Sequence, residues 1–262
     1  EYLKDYPKGS FSKVVLYYLA EIYFDKEFFD KALVAYKELI EDNISSYTEK
    51  ALVRVIIILK NNDQQITAIP YMEKLAEISS YKENKRFAIL NLMQAYYSNE
   101  EHEKTIETIE KVLGLTELTE NIKIDALKFK ARSSLALLDS LKAGDTYKQL
   151  ENSSQILIAA EAIYFRADLL NRQKAYLDSN KLISKIAENG GQAKKWNAKA
   201  LLLLAKNYFA LEDSFQAIFI LDSLIDNFEN YPEVVNEAHK LKIKYQTSLE
   251  KSNRSIINDG NG

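Results

Sequence analysis

The chain has 262 residues, of which 47% are hydrophobic, enough for a buried core, so it is not a disordered protein. Lys and Arg total 35 against 38 Asp and Glu; the net charge of -3 excludes a general attraction to nucleic acid or anionic lipid. Without cysteine there is no disulfide framework, thiolate nucleophile or thiolate metal site, and only 7 Gly and 3 Pro leave few breakers, which predicts an all-helical chain with short turns.

The most apolar run, Ala51 to Leu59, is too short to span a membrane. The sequence starts at Glu1 without Met or a signal-like segment and reads as a processed or truncated piece of something longer. Residues 1–12 contain "YLKDYPKGSF", which matches "NFENYPEVV" around Tyr231-Pro232, where a second helix ends and the next unit begins. They are expected to be the end of a preceding repeat, with at least one more hairpin upstream.

Residues 13–48 carry the first full unit. In "LYYLAEIYFDKEFFDKALVAYKELI" the apolar residues Leu16, Leu19, Ala20 and Tyr23 and then Ala32, Tyr36 and Leu39 fall on two helical faces around a polar turn. The frame recurs at residues 198–232 as Leu201, Leu204, Ala205, Tyr208, Ala217, Leu221 and Leu224. Between these copies a first-helix marker falls at Ala20, Ile56, Met93, Ala131, Ala167 and Ala205, with differences of 36, 37, 38, 36 and 38. A second-helix marker, at Ala32, Ala68, Thr105, Ala143, Ser179 and Ala217, repeats the same differences. The units are 13–48, 49–85, 86–123, 124–159, 160–197 and 198–232. Small residues at the markers let paired helices approach closely. Ile56 and Met93 are large there, predicting altered crossings. The fourth unit, with Gly144 inside its second helix and Ser134 where an aromatic is expected, is predicted to be the least stable.

Residues 233–250 close the array. Val234, Ala238, Leu241, Tyr245 and Leu249 give one apolar stripe among polar neighbours, as a capping helix requires. Residues 251–262 show no periodicity and are expected to be a mobile tail.

The two-helix frame resembles the tetratricopeptide repeat, TPR, with its W-x2-L-G-x2-Y…A-x3-F pattern. The resemblance implies an all-α, right-handed α-solenoid of about six TPR helix-turn-helix repeats plus a C-terminal capping helix, in one continuous domain. It further implies that the first helices line a concave groove at Tyr17, Glu21, Phe24, Val53, Ile57, Lys60, Leu90, Gln94, Tyr97, Lys128, Arg132, Tyr164, Asp168, Asn171, Leu202, Lys206 and Phe209. Family members that clamp the acidic tails of heat-shock chaperones use Lys and Asn, then Asn, Lys and Arg on following repeats. Here Arg132 stands for Asn and the fifth unit offers Phe165 and Asp168, so no chaperone-tail receptor is expected.

No residues suggest catalysis. His102 and His239 are the only imidazoles, "NEEHEK" around His102 reads as a solvated turn, and no phosphate-binding or nucleophile motif occurs. The chain is expected to be a non-enzyme without cofactor or metal. Most of the 17 Tyr and 11 Phe fall at core sites such as Tyr23, Tyr36, Tyr96, Tyr147 and Tyr208. Trp196 reads as a staple between the preceding loop and the sixth unit, with Lys194, Lys195 and Lys199 nearby.

The expected function is a protein–protein interaction scaffold binding a protein or peptide along the groove. The period, the short polar turns, "AEAIYFRADLL" and "WNAKALLLLAKNYFALEDSFQAIFILDSLIDNF" look like the C-terminal end of long Bacteroidetes-type TPR proteins of the cell envelope. That resemblance implies the periplasm or outer-membrane periphery, within an assembly or secretion machine. The alternative is a solenoid for oligosaccharide or peptidoglycan fragments, which needs coplanar exposed aromatics beside amides or carboxylates, such as Tyr164 with Asn171. Nucleic acid and membrane insertion are not expected partners. Self-association through an uncapped N-terminal face at Val14, Val15 and Tyr18 is a further expectation.

Overall fold

A computed structural model describes residues 2–41, 44–187 and 191–259, and the described residues are helical with short connections. The contacts divide the chain into two compact units, Glu1–Leu137 and Leu138–Gly262. Each unit is a stack of antiparallel helices.

The first unit opens with a helical turn, α1 (Tyr2–Asp5), followed by three hairpins: α2 (Ser12–Asp25) with α3 (Phe29–Glu41), α4 (Thr48–Asn61) with α5 (Gln65–Ile78), and α6 (Lys82–Ser98) with α7 (His102–Leu113). It ends in α8 (Glu120–Ala136). The second unit comprises α9 (Ser140–Leu150), the hairpins α10 (Ile156–Arg172) with α11 (Tyr176–Ala187) and α12 (Lys194–Ala210) with α13 (Ser214–Asn227), and α14 (Pro232–Asp259). Even-numbered helices up to α12 are the first, or A, helices of the repeats; odd-numbered ones from α3 are the B helices.

The markers explain the packing. All twelve are buried, Met93 being the most accessible of them. Where a hydroxyl replaces a methyl, the main chain absorbs it: Thr105 Oγ1 donates to the Glu101 carbonyl at 2.8 Å, and Ser179 Oγ to that of Ala167 at 2.8 Å. The fourth repeat is cut by the unit boundary at its A–B turn. Just before it the Ser134 hydroxyl is buried without a hydrogen-bond partner, and the turn itself exposes Leu138.

A backbone device repeats with the same period. Glu27, Asp63, Glu100, Leu138, Lys174 and Glu212, one in each A–B turn, all have φ between 57° and 65°. At Glu27 the amide donates to Phe24 O at 2.9 Å and the next amide, of Phe28, donates to Tyr23 O at 2.8 Å. This paired closure of a helix end recurs at Asp63, Glu100, Lys174 and Glu212. The carbonyls left over by each A helix are thus satisfied inside a short turn.

Five boundaries differ from the sequence reading. The A helices of repeats three to six start at Lys82, Glu120, Ile156 and Lys194, a turn ahead of 86, 124, 160 and 198; the first turns of α6, α8 and α12 are mostly polar and so invisible to an apolar frame, whereas that of α10, Ile156 to Ala159, is apolar. Trp196 accordingly lies in the first turn of α12 rather than in a loop. The capping helix does not stop at 250: α14 runs to Asp259, since no Gly or Pro interrupts "LEKSNRSIIND" before Gly260. The expected mobile tail is thus helical as far as Asp259, and residues 260–262 lie outside the described set. Among the described residues no helix is long and apolar enough to cross a membrane.

Candidate functional site

The predicted groove residues lie on the A helices, and each unit has its own wall. In the first, α2 to α8 contribute Tyr17, Glu21, Phe24, Val53, Ile57, Lys60, Leu90, Gln94, Tyr97, Lys128 and Arg132. Gln94 is exposed and the others are half-buried.

Their sideways contacts are what the sequence reading missed. Glu21 accepts from Arg54 on α4 through both oxygens, at 3.0 Å from Nε and 2.9 Å from Nη2, and also accepts from the Tyr36 hydroxyl of α3. Burial works to raise the Glu21 carboxyl, but the hydrogen bonds from Arg54 and Tyr36 hold it below the ordinary carboxylate value. Tyr36 is pushed up by burial and then by that same bond to Glu21. The Arg54 guanidinium also lies 4.2 Å from the centre of the Phe24 ring. One arginine therefore ties a carboxylate and an aromatic of α2 to α4.

The same theme continues along the wall. Tyr17 stacks on Tyr47 with centroids 4.8 Å apart, and Tyr97 of α6 stacks on Phe129 of α8 at 4.1 Å. Lys60 donates to the Asn91 side chain of α6. Lys128 pairs with Asp125 at 2.5 Å and its ammonium lies 4.7 Å from the Phe129 centroid. Val53, Ile57 and Leu90 remain as half-exposed aliphatic positions between these braces.

In the second unit α10, α12 and α14 form the wall. Tyr164 lies 5.4 Å from Trp196 and 5.3 Å from Phe165, the latter edge-on. Burial, then Asp168, pushes its phenol up to about 12. Asp168 is engaged by Arg172 one turn along, at 2.8 and 2.9 Å. Asn171 donates at 2.6 Å to Asn207, which is buried and donates in turn to Ser179 Oγ at 2.8 Å and Asn180 Oδ1 at 2.7 Å. Lys206 pairs with Glu237 at 2.6 Å, and Phe209 stacks on Tyr245 at 3.7 Å and 6°. The capping helix thus supplies wall partners as a further A helix would.

One predicted wall residue is misplaced. Leu202 is 7% exposed and packs in the core of α12, α13 and α14, because it lies on the face of α12 turned into that cluster. Trp196 packs against Tyr164 and Phe165, with the Lys199 ammonium 5.2 Å from its centroid. The rings of this cluster are mutually tilted by 37° to 70° rather than coplanar, unlike the platform that a sugar-binding reading needs.

His102 begins α7 with Nδ1 3.3 Å from Ser133 Oγ, and the adjacent Glu101 is engaged by Lys104 at 2.7 Å and Asn99 at 2.7 Å. Among the described residues no group of three or more His, Asp and Glu side chains could hold a metal ion. The arrangement offers apolar patches, stacked rings and paired charges, which suit recognition of a peptide or protein surface.

No family model matches the sequence, and a search of the curated proteins finds no match. Solved structures do match. YrrB, described as a TPR protein with an unusual peptide-binding site, is 17% identical with a TM-score of 0.56 over 79% of this chain and 98% of its own. A tetratricopeptide repeat protein from Parabacteroides merdae is 14% identical, with a TM-score of 0.41 over 90% of this chain and 88% of its own. The TPR2AB domain of yeast Sti1, described as a pHSP90 complex, is 15% identical, with a TM-score of 0.41 over 91% of this chain and 100% of its own. With the repeat period, the buried markers and the likeness to YrrB together, the chain has the helix-hairpin repeat fold of the tetratricopeptide-repeat proteins.

Proposed function

We propose that the chain is a non-catalytic scaffold that binds a peptide or protein partner along its A-helix walls, within a bacterial cell-envelope assembly or secretion machine at the periplasm or outer-membrane periphery. The observation that carries the binding reading is the state of five wall aromatics. Tyr17, Phe24, Tyr97, Tyr164 and Phe209 are all half-buried, each braced by a ring or guanidinium from a neighbouring segment. Side chains locked in this way lose little entropy on binding, so a partner meets a pre-organised surface. YrrB, which shares the fold, is described as having a peptide-binding site. The cell-envelope setting is supported by the sequence resemblance alone.

The test places a photoreactive residue at Ile57, half-exposed on the first wall, with a control at exposed Lys240, in the source cells. Capture of one protein from position 57 only is the expected result. Capture of glycan, or equal capture from both positions, sinks the scaffold reading, and cell fractionation decides the compartment.

A further inference from the structure

The B-helix side of the first unit is closed at one repeat junction and open at the next. Where α5 follows α3, Tyr71 of α5 has the Lys37 ammonium of α3 5.7 Å from its ring centroid, and Lys74 donates to the Ile40 carbonyl at 2.8 Å. Ile40 is buried, and Tyr71 packs with it on the cluster that contains Leu52 and Val55 of α4. The next junction, α5 with α7 over α6, has the same frame and different contents. Three residues after the B-helix marker, Thr108 stands where Tyr71 stands; eight residues after it, Ala76 stands where Ile40 stands. Lys111, in the place of Lys74, pairs along its own helix with Glu107 at 2.8 Å, and Glu73, in the place of Lys37, accepts from the Tyr96 hydroxyl. With small residues at both sites a cleft of about 520 Å³ opens, floored by Ala76, Ile89, Leu92 and Tyr96. That volume falls in the range of about 300–1,000 Å³ usual for ligand pockets. The α6 residues of the floor are not those of the wall, Leu90, Gln94 and Tyr97, so the cleft is a separate surface.

The closed junction indicates what fits the open one. One repeat earlier the chain itself fills this space with a tyrosine, so the cleft has room for an aromatic side chain, whose ring would lie on an aliphatic floor. The charges at the mouth are exchanged as well. Of its five charged residues, Lys111 is paired with Glu107, and Lys104 with Glu101 outside the cleft at 2.7 Å. Glu73 and Glu77 remain, both exposed and one turn apart on α5. Where Lys37 sets a cation beside the Tyr71 ring, the cleft therefore offers carboxylates, and two like charges at this spacing gain from a cation placed between them. We propose that this cleft binds an aromatic side chain of a partner protein, carried in a segment with Lys or Arg beside it.

The experiment uses the full chain and the capped pentapeptide Gly-Lys-Phe-Lys-Gly, with Gly-Lys-Ala-Lys-Gly and Gly-Glu-Phe-Glu-Gly as controls. Saturation-transfer NMR reads binding as weak as a single side chain gives. Thr108→Tyr puts into the cleft the ring that Tyr71 supplies at the closed junction, and Glu77→Lys, at an exposed site, is a second variant that leaves the packing alone. Circular dichroism checks the fold of both. The proposal expects the chain to bind Gly-Lys-Phe-Lys-Gly and neither control, with a loss of at least about tenfold in Thr108→Tyr and about threefold in Glu77→Lys. No binding to the wild-type chain, equal binding of either control, or binding unchanged in a folded variant overturns it. So does self-association of the chain that Thr108→Tyr abolishes while the peptide fails to bind, since the occupant would then be a second copy.

Discussion

The Ser179 hydroxyl donates to the main-chain carbonyl of Ala167 at 2.8 Å, joining α11 to α10 where they cross. In the TPR frame this is the site of a small apolar residue on each helix, and serine keeps the volume small while adding a bond. The same Oγ accepts from Asn207 of α12, so one side chain links three helices. Ser179→Ala is expected to cost about 1 kcal/mol, because Asn207 keeps its bond to Asn180. Asn207→Ala leaves Asn171, Asn180 and Ser179 short of partners and is expected to cost about 2–3 kcal/mol. Urea denaturation of both variants and the double variant measures this, and strictly additive losses would show that the network is not a unit.

Leu138 sits in the left-handed region at φ 60° with its side chain 88% exposed. A non-glycine residue there costs about 1–2 kcal/mol, and an exposed side chain recovers none of it by burial. Leu138→Gly is therefore expected to stabilise the protein by about 0.5–1 kcal/mol, after the entropy that glycine loses on folding. Leu138→Val, branched at Cβ, is expected to destabilise it by a similar amount. A thermal midpoint that falls in Leu138→Gly would contradict this account.

These turns show how much of the fold was legible. The period and the marker register could be read, because close crossings force small residues into a fixed frame; Ala20 and Ala32 sit as buried as the frame requires. The six left-handed turns share that period yet left no sequence signal, because Glu, Asp, Leu and Lys stand where Gly usually marks them. The wall was legible one residue at a time and illegible in its pairings. Glu21, Phe24 and Tyr97 could be placed, but Arg54 and Phe129, which hold them, are a repeat away in sequence and come into range only when the A helices stack. Leu202 was misread because a leucine beside a core leucine carries no mark of which side it faces.

Acid is expected to loosen the first unit through two half-buried carboxylates. Glu21 and Glu49 are both held below the ordinary value against the opposing effect of burial, Glu21 by Arg54 and Tyr36, Glu49 by Ser79, Asn84 and Ser80. A carboxyl depressed in the folded state contributes stability that is present above its unfolded value and lost as pH falls through the folded one. Stability of this unit is thus expected to be level at neutral pH and to decline below about pH 4.5. Glu21→Gln is expected to flatten part of that decline while lowering stability at pH 7. Amide hydrogen exchange of α2 and α4 against pH reads it, and a decline unchanged in Glu21→Gln would remove the Arg54 pair from the explanation.

Gly144 lies inside α9, where glycine is less favourable than alanine by about 0.8–1.0 kcal/mol. On sequence alone it looks like a defect that alanine would repair in full. In the folded chain a Cβ at this position would come within 3.2 Å of Leu169 Cδ1 on α10. Leu169 is half-buried, so its terminal methyl can shift by a few tenths of an ångström at a fraction of the helix gain. Gly144→Ala is therefore expected to stabilise the protein by less than the full propensity difference, about 0.3–0.7 kcal/mol. Pairing it with Leu169→Val, which draws that methyl back, should restore the remaining gain relative to Leu169→Val alone. If Gly144→Ala has the same effect in both backgrounds, the contact with Leu169 is not what limits α9, and the glycine's cost is purely one of backbone entropy.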